Sequence, residues 1–207
     1  MERPDYHALQ THYEACLEEH GDNHLGVNWS RQEDADRRYE VMLDLVKPGE
    51  GVSLLDFGCG AAHFYDYLRA RGRTDIVYAG LDISPKFVEL SRAKHPALDF
   101  YCLDVLTADA ALPEFDYIVL NGVFTAKPTI SHEAMWAFCQ ALLTKLVPHA
   151  RKGLAFNAMS KHVDWERDDL FHLPFDTIAA FLHAQGWRRY TIRADYGLYD
   201  YTLYLHR

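Results

Sequence analysis

From Val52 onward the chain alternates short apolar runs with stretches of helical periodicity, and that alternation leaves few folds open to it. The runs Val52 to Phe57, Ile76 to Asp82, Leu98 to Leu103, Phe115 to Asn121 and Gly153 to Ala158 are mostly apolar on both sides, as strands covered by helices on each face must be. Between them, Ser84 and Pro85 make a cap and first-turn pair, and the helix they open must stop before Pro96. Met135, Phe138, Cys139, Leu142 and Leu146 mark another helix, and Phe175, Ile178, Ala179 and Leu182 a last one that ends at Gly186. Trp187 to Asp195 and Tyr199 to His206 flank a Tyr-Gly-Leu turn. Tyr199, Tyr201, Leu203 and Leu205 alternate with polar neighbours, which is hairpin patterning. The expected fold is α/β: a doubly wound, seven-stranded, mostly parallel sheet with a C-terminal antiparallel hairpin and helices on both faces.

Two helical stretches precede the first strand. Leu9, Tyr13, Cys16 and Leu17 share one face, and residues 21–30 then read as a loop. Ala35, Arg38, Tyr39, Met42, Leu43 and Val46 form the stripe of the second helix, which Lys47-Pro48-Gly49 closes. The expected division is a helical lid over residues 1–30 and a ligand-binding domain over residues 31–207.

A length of 207 residues suits one domain with appendages. The net charge of −9 argues against a nucleic-acid backbone or an anionic membrane as partner. The first residues lack a basic segment followed by an apolar run, so no signal peptide is expected, and no apolar stretch approaches the roughly 20 residues of a membrane span. Cys16, Cys59, Cys102 and Cys139 form no C-x-x-C pair, and the 12 histidines no H-E-x-x-H, so neither disulfide nor metal is expected. A cytoplasmic setting follows from the same cysteine usage.

The segment Leu54 to Phe64, read Leu-Leu-Asp-Phe-Gly-Cys-Gly-Ala-Ala-His-Phe, carries the chemistry. Asp56 is followed by Gly58 and Gly60, which remove side chains where a ligand must approach backbone, before a helix with free N–H groups. A dinucleotide fold wants a third glycine, and His63 stands there, which disfavours a nicotinamide cofactor.

The pattern D-x-G-x-G-x-A resembles the first motif of class I S-adenosylmethionine (SAM)-dependent methyltransferases. Asp82 closes the second strand 22 residues after Gly60, where an acid accepts both ribose hydroxyls. Asp104 ends the third strand 22 residues further on, where the family holds the adenine amino group, and Asn121-Gly122 ends the fourth strand like the family's motif beside the methyl group. The resemblance implies SAM as cofactor, bound by these markers with their neighbours Cys59, His63, Phe64, Ile83, Leu103 and Val105. It further implies a basic residue for the methionine carboxylate. Arg38 either fills that role or snorkels at the edge of its stripe, and Trp29 either stacks on the cofactor or plugs the lid.

Transfer from an already activated methyl group depends mainly on alignment, so no catalytic base is required by the sequence. His132, His162 and the histidines of the lid are candidates, none of them chosen. Many nucleic-acid methyltransferases carry Asn/Asp-Pro-Pro-aromatic where this chain has Asn121-Gly122-Val123-Phe124, so a small-molecule acceptor methylated on O or N is expected. Tyr6, Tyr13 and Trp29 from the lid, with Asn121, Asn157 and His162 from the sheet side, are the expected acceptor contacts. The resemblance is to bacterial stand-alone enzymes, monomeric or homodimeric. The alternatives are a noncatalytic SAM-binding protein and a methyltransferase acting on a macromolecule.

Overall fold

The computed structural model describes residues 5–49, 51–107 and 112–207; residues 1–4 of the expected lid lie outside them. Helices α1 (His7–His20) and α2 (Gln32–Leu43) come first. The alternating part runs β1 (Val52–Phe57), α3 (His63–Ala70), β2 (Ile76–Asp82), α4 (Pro85–Lys94), β3 (Asp99–Cys102), β4 (Phe115–Phe124), α5 (His132–Leu146), β5 (Ala150–Met159) and α6 (Phe175–Ala184). A 3-10 turn at Val147–His149 joins α5 to β5, and β6 (Tyr190–Arg193) and β7 (Asp200–His206) end the chain.

The seven strands form one sheet in the order β3-β2-β1-β4-β5-β7-β6. Strands β1 to β5 pair in parallel, and β7 lies antiparallel between β5 and β6. Side-chain alternation along each strand feeds two apolar layers. Leu55, Ile118, Leu120, Leu154, Phe156 and Leu203 pack with Leu9, α5 and α6 on one face. Leu54, Tyr117, Val119 and Ala155 pack with α2, α3 and Val88 of α4 on the other. The chain order reverses between β1 and β4, so the carboxyl ends of β1, β2, β3 and β4 surround one crevice.

The observed elements differ from the expected ones mainly at their ends: β5 begins at Ala150 rather than Gly153, and β6 covers only Tyr190–Arg193 of the expected Trp187 to Asp195. β3 is shortened to four residues, whereas β4 runs on past Asn121 to Phe124, which pairs with Ala158 after a register shift. The continuation is irregular because Gly122 adopts φ +85°, which breaks the ladder locally. α2 stops at Leu43, before Val46, which the following turn buries instead. Among the described residues no helix separates β3 from β4.

Candidate active site

The turn after β1 curls because Gly58 and Gly60 are left-handed, at φ +73° and +51°. A Cβ at Gly58 would lie 2.7 Å from Val123 Cγ2, so only glycine lets this loop meet the end of β4. Ala62, also left-handed at φ +59°, then starts α3. The Leu81 carbonyl accepts from the Gly58 and Cys59 amides at 2.7 and 3.0 Å, tying the turn to β2.

Three carboxylates line the crevice beside that turn. Asp82 accepts from the Gly60 amide through one oxygen (2.9 Å) and the Ser84 amide through the other (2.8 Å), with a further backbone bond from Ile83. Burial raises its pKa against those bonds. Asp56, 3% exposed, accepts from the Tyr78 hydroxyl at 2.7 Å, and burial pushes its carboxyl up to about 7. Asp104 goes the other way. Burial would raise its pKa, but bonds from His7, the Leu106 amide and Tyr6 outweigh that and hold it below the usual carboxylate range.

Helix α1 lies across the opening. Tyr6, just before the helix, and His7, its first residue, reach Asp104 Oδ2 at 2.9 and 3.0 Å. Glu14 accepts from the Ser84 hydroxyl at 2.6 Å and pairs with Lys86, which also meets Glu18. Past the helix, Asp22 bonds His63 Nε2 at 2.7 Å and Lys94 at 3.0 Å. Tyr13 donates to the Gly122 carbonyl, and burial pushes its phenol up to about 12, so it stays protonated. The result is a covered cleft of about 1100 Å³, counting its open mouth.

Of the residues expected at the cofactor, Trp29, Asp56, Gly58, Cys59, Gly60, His63, Phe64, Asp82, Ile83, Leu103, Asp104, Val105, Asn121 and Gly122 all line that cleft, as does Tyr13. Arg38 does not. Its guanidinium makes two bonds to Asp200, at 2.9 and 3.1 Å, and a third to the Asp34 carbonyl, which satisfies the charge inside the fold. Asn157, expected at the acceptor, is fully buried between the Gly122 amide and Asp200, and the exposed His162 packs at a tilt against Phe175; neither lines the cleft. His132 donates from Nε2 to the His172 carbonyl at 3.0 Å, also away from it. Cys59 is an inert thiol here, its pKa raised by burial and by Asp82 and Asp56.

The cleft also uses Leu9, Gln10, Val27, Tyr39, Ser84, Phe87, Val123, Phe138 and Leu142. In sequence Phe138 and Leu142 are ordinary members of an apolar helical stripe, and nothing local separates a cleft wall from core. Among the described residues no lysine or arginine lines the cleft, and its charged lining groups are carboxylates. Among the described residues no group of three or more His, Cys, Asp or Glu is placed to hold a metal ion. No helix among them is long and apolar enough to cross a membrane.

Comparison with known proteins adds three findings. A family model described as a methyltransferase domain matches residues 55–145. Rv1506c of Mycobacterium tuberculosis (strain ATCC 25618 / H37Rv), named as a methyltransferase, is 31% identical over 175 residues, covering 80% of this chain and 99% of that protein. Among solved structures, the magnesium protoporphyrin IX methyltransferase of Synechocystis PCC 6803 with bound SAM is similar at a TM-score of 0.68 and 16% identity, covering 100% of this chain and 98% of that one. Human N-acetylserotonin methyltransferase in complex with SAM gives 0.60 and 14%, covering 98% of this chain and 55% of that one.

Proposed function

The chain belongs to the class I SAM-dependent methyltransferases, and from that premise we propose that it methylates an O or N of a small molecule held under α1. The observation that carries the reading is the order of groups around the cleft: the Gly58–Gly60 turn, then Asp82, then Asp104, then Asn121, at the ends of four adjacent strands.

The residues present fit SAM. Asp82 lines the cleft with a carboxylate held in place by backbone amides, an acceptor suited to ribose hydroxyls. Asn121 Oδ1 is buried without a partner and lines the cleft, so a ligand donor is what would satisfy it. A cleft edged by Asp82 and Asp104, with no lysine or arginine among its described lining residues, favours a cationic ligand. Asp104 and Val105 would hold the adenine end. The cofactor supplies a methyl group on positively charged sulfur.

What the chain itself contributes is orientation and exclusion of water. Residues 1–30 act as a lid in this reading, since Tyr6 and, from α1, Leu9, Gln10 and Tyr13 line the cleft. Leu9, Val123, Phe138 and Leu142 supply an apolar wall, and Tyr13 and Asn121 a few placed polar groups, the mixture usual in small-ligand pockets. The acceptors named for the two structural neighbours are also small molecules. The protein is taken as a cytoplasmic monomer or homodimer acting on neither nucleic acid nor membrane, in keeping with its charge of −9.

The experiment is a melting curve with SAM or S-adenosylhomocysteine, followed by release of S-adenosylhomocysteine from SAM in the presence of fractionated small-molecule extracts. A ligand at about a hundredfold excess over its dissociation constant stabilises by roughly 2.7 kcal/mol. An unmoved melting curve at millimolar ligand overturns the reading, and turnover on RNA, DNA or protein alone overturns its acceptor.

A further inference from the structure

We propose that Arg38, Asp200 and Asn157 are positioning residues, which act through Trp29 and the Gly122 backbone to hold the end of β4 in one orientation at the cleft. The proposal rests on the methyltransferase reading. The contacts form a closed circuit. Asn157 Oδ1 accepts from the Gly122 amide at 2.8 Å, and its Nδ2 donates to Asp200 Oδ2 at 2.8 Å. Asp200 takes both forks of the Arg38 guanidinium. That guanidinium lies 4.3 Å from the centre of the Trp29 ring, and Trp29 in turn covers Gly122 so closely that a Cβ there would be 2.9 Å from Cζ2.

Each link has only one workable arrangement. A backbone N–H on one side and a carboxylate on the other demand that the Asn157 amide present oxygen to Gly122 and nitrogen to Asp200. Only arginine supplies a planar fork that binds a carboxylate through two bonds while stacking on an indole. Asn157 and Asp200 are 0% and 1% exposed, so water does not substitute for a lost partner. Burying such a pair is weak as a source of stability, because apolar residues of similar volume often do as well. Its value here is geometric. The amide gripped by Asn157 belongs to the peptide that joins Asn121 to Gly122, so the circuit sets the plane from which the Asn121 side chain enters the cleft. From the other side, Tyr13 and Thr125 hold the Gly122 carbonyl at 3.2 and 2.8 Å. Arg38, Asp200 and Asn157 themselves do not line the cleft.

The test is calorimetric titration with S-adenosylhomocysteine of the full chain and of Asp200→Asn, Asn157→Ala, their double variant and Leu182→Ala, each with its melting curve. Leu182 is buried on α6 outside the circuit and controls for lost stability. The expected result is a tenfold or larger loss of affinity in each single circuit variant, no further loss in the double, and unchanged affinity in Leu182→Ala despite a lower melting temperature. Losses below tenfold, losses that add in the double variant, or an equal loss in Leu182→Ala overturn the proposal. If either circuit variant fails to fold, Arg38→Lys replaces it and is expected to lose affinity by the same factor. Failure of the unaltered protein to bind S-adenosylhomocysteine would instead overturn the methyltransferase reading.

Discussion

The hydroxyl of Tyr13 donates to the carbonyl oxygen of Gly122 at 3.2 Å, joining positions 109 residues apart. That bond brings the covering helix down on the one peptide of β4 whose backbone is left-handed. α1 is therefore fastened at three points along its length: Asp104 at its start, Gly122 in its middle, and Ser84 with Lys86 near Glu14 and Glu18.

Asp82 is expected to carry much of the cofactor affinity. Asp82→Ala should weaken SAM binding by on the order of 1.5–3 kcal/mol, the usual size for hydrogen bonds to a charged group. Titration calorimetry checks it, and a variant of unaltered affinity would remove Asp82 from the binding site.

Asp104 fastens α1 through Tyr6 and His7, so Asp104→Ala should loosen that helix. Since the carboxylate is only partly shielded, a loss of about 1 kcal/mol is expected, read as amide exchange in α1 that is several-fold faster. The folded pKa is depressed, so this contribution is present above the unfolded value of about 3.9 and is lost as pH falls through the folded one. Exchange in α1 that does not change would assign the fastening to Tyr13 and Glu14 alone.

Asp56 has the opposite sign. With a folded pKa raised to about 7, the native state holds a proton that the unfolded chain has released, so stability falls as pH rises from about 4 to 7. Asp56→Asn keeps an oxygen for the Tyr78 hydroxyl and removes that dependence. It should melt close to the unaltered protein at pH 4 and higher at pH 8, the gain being of order a few kcal/mol. Parallel pH profiles for the two proteins would contradict it.

Gly122→Ala combines left-handed strain, at φ +85°, with a methyl group 2.9 Å from the Trp29 ring. The two costs together come to about 2–4 kcal/mol. For a chain of this size that lowers the melting temperature by roughly 5–15 °C. A melting temperature within a degree of the unaltered one would mean that Trp29 moves aside freely.

Much of the fold is legible in the chain because it is written in local pattern. Val52–Phe57 and Ile76–Asp82 are bounded in the structure where their apolar runs begin and end, and Ser84 caps α4 through its hydroxyl as its place before Pro85 suggests. The glycine turn, the acid that ends β2 and the acid just past β3 are likewise local. A left-handed turn favours glycine wherever it occurs, and the residues at and just after a strand's carboxyl end face the crevice in a sheet of this topology.

Partners are another matter. Arg38 sits on its helix as a cation in search of an anion, and its sequence neighbours do not say which; the structure supplies Asp200, 162 residues away, because β7 inserts beside β5 and brings that carboxylate under α2. Asn157 reads as a polar strand-end residue free for a substrate, yet the same insertion places Asp200 against it and turns it inward to Gly122. Periodicity records which face of an element is apolar, since burial acts on every residue of that face alike. Which polar group meets which is decided only when distant elements pack, because hydrogen bonds are short and directional and depend on the whole register between them.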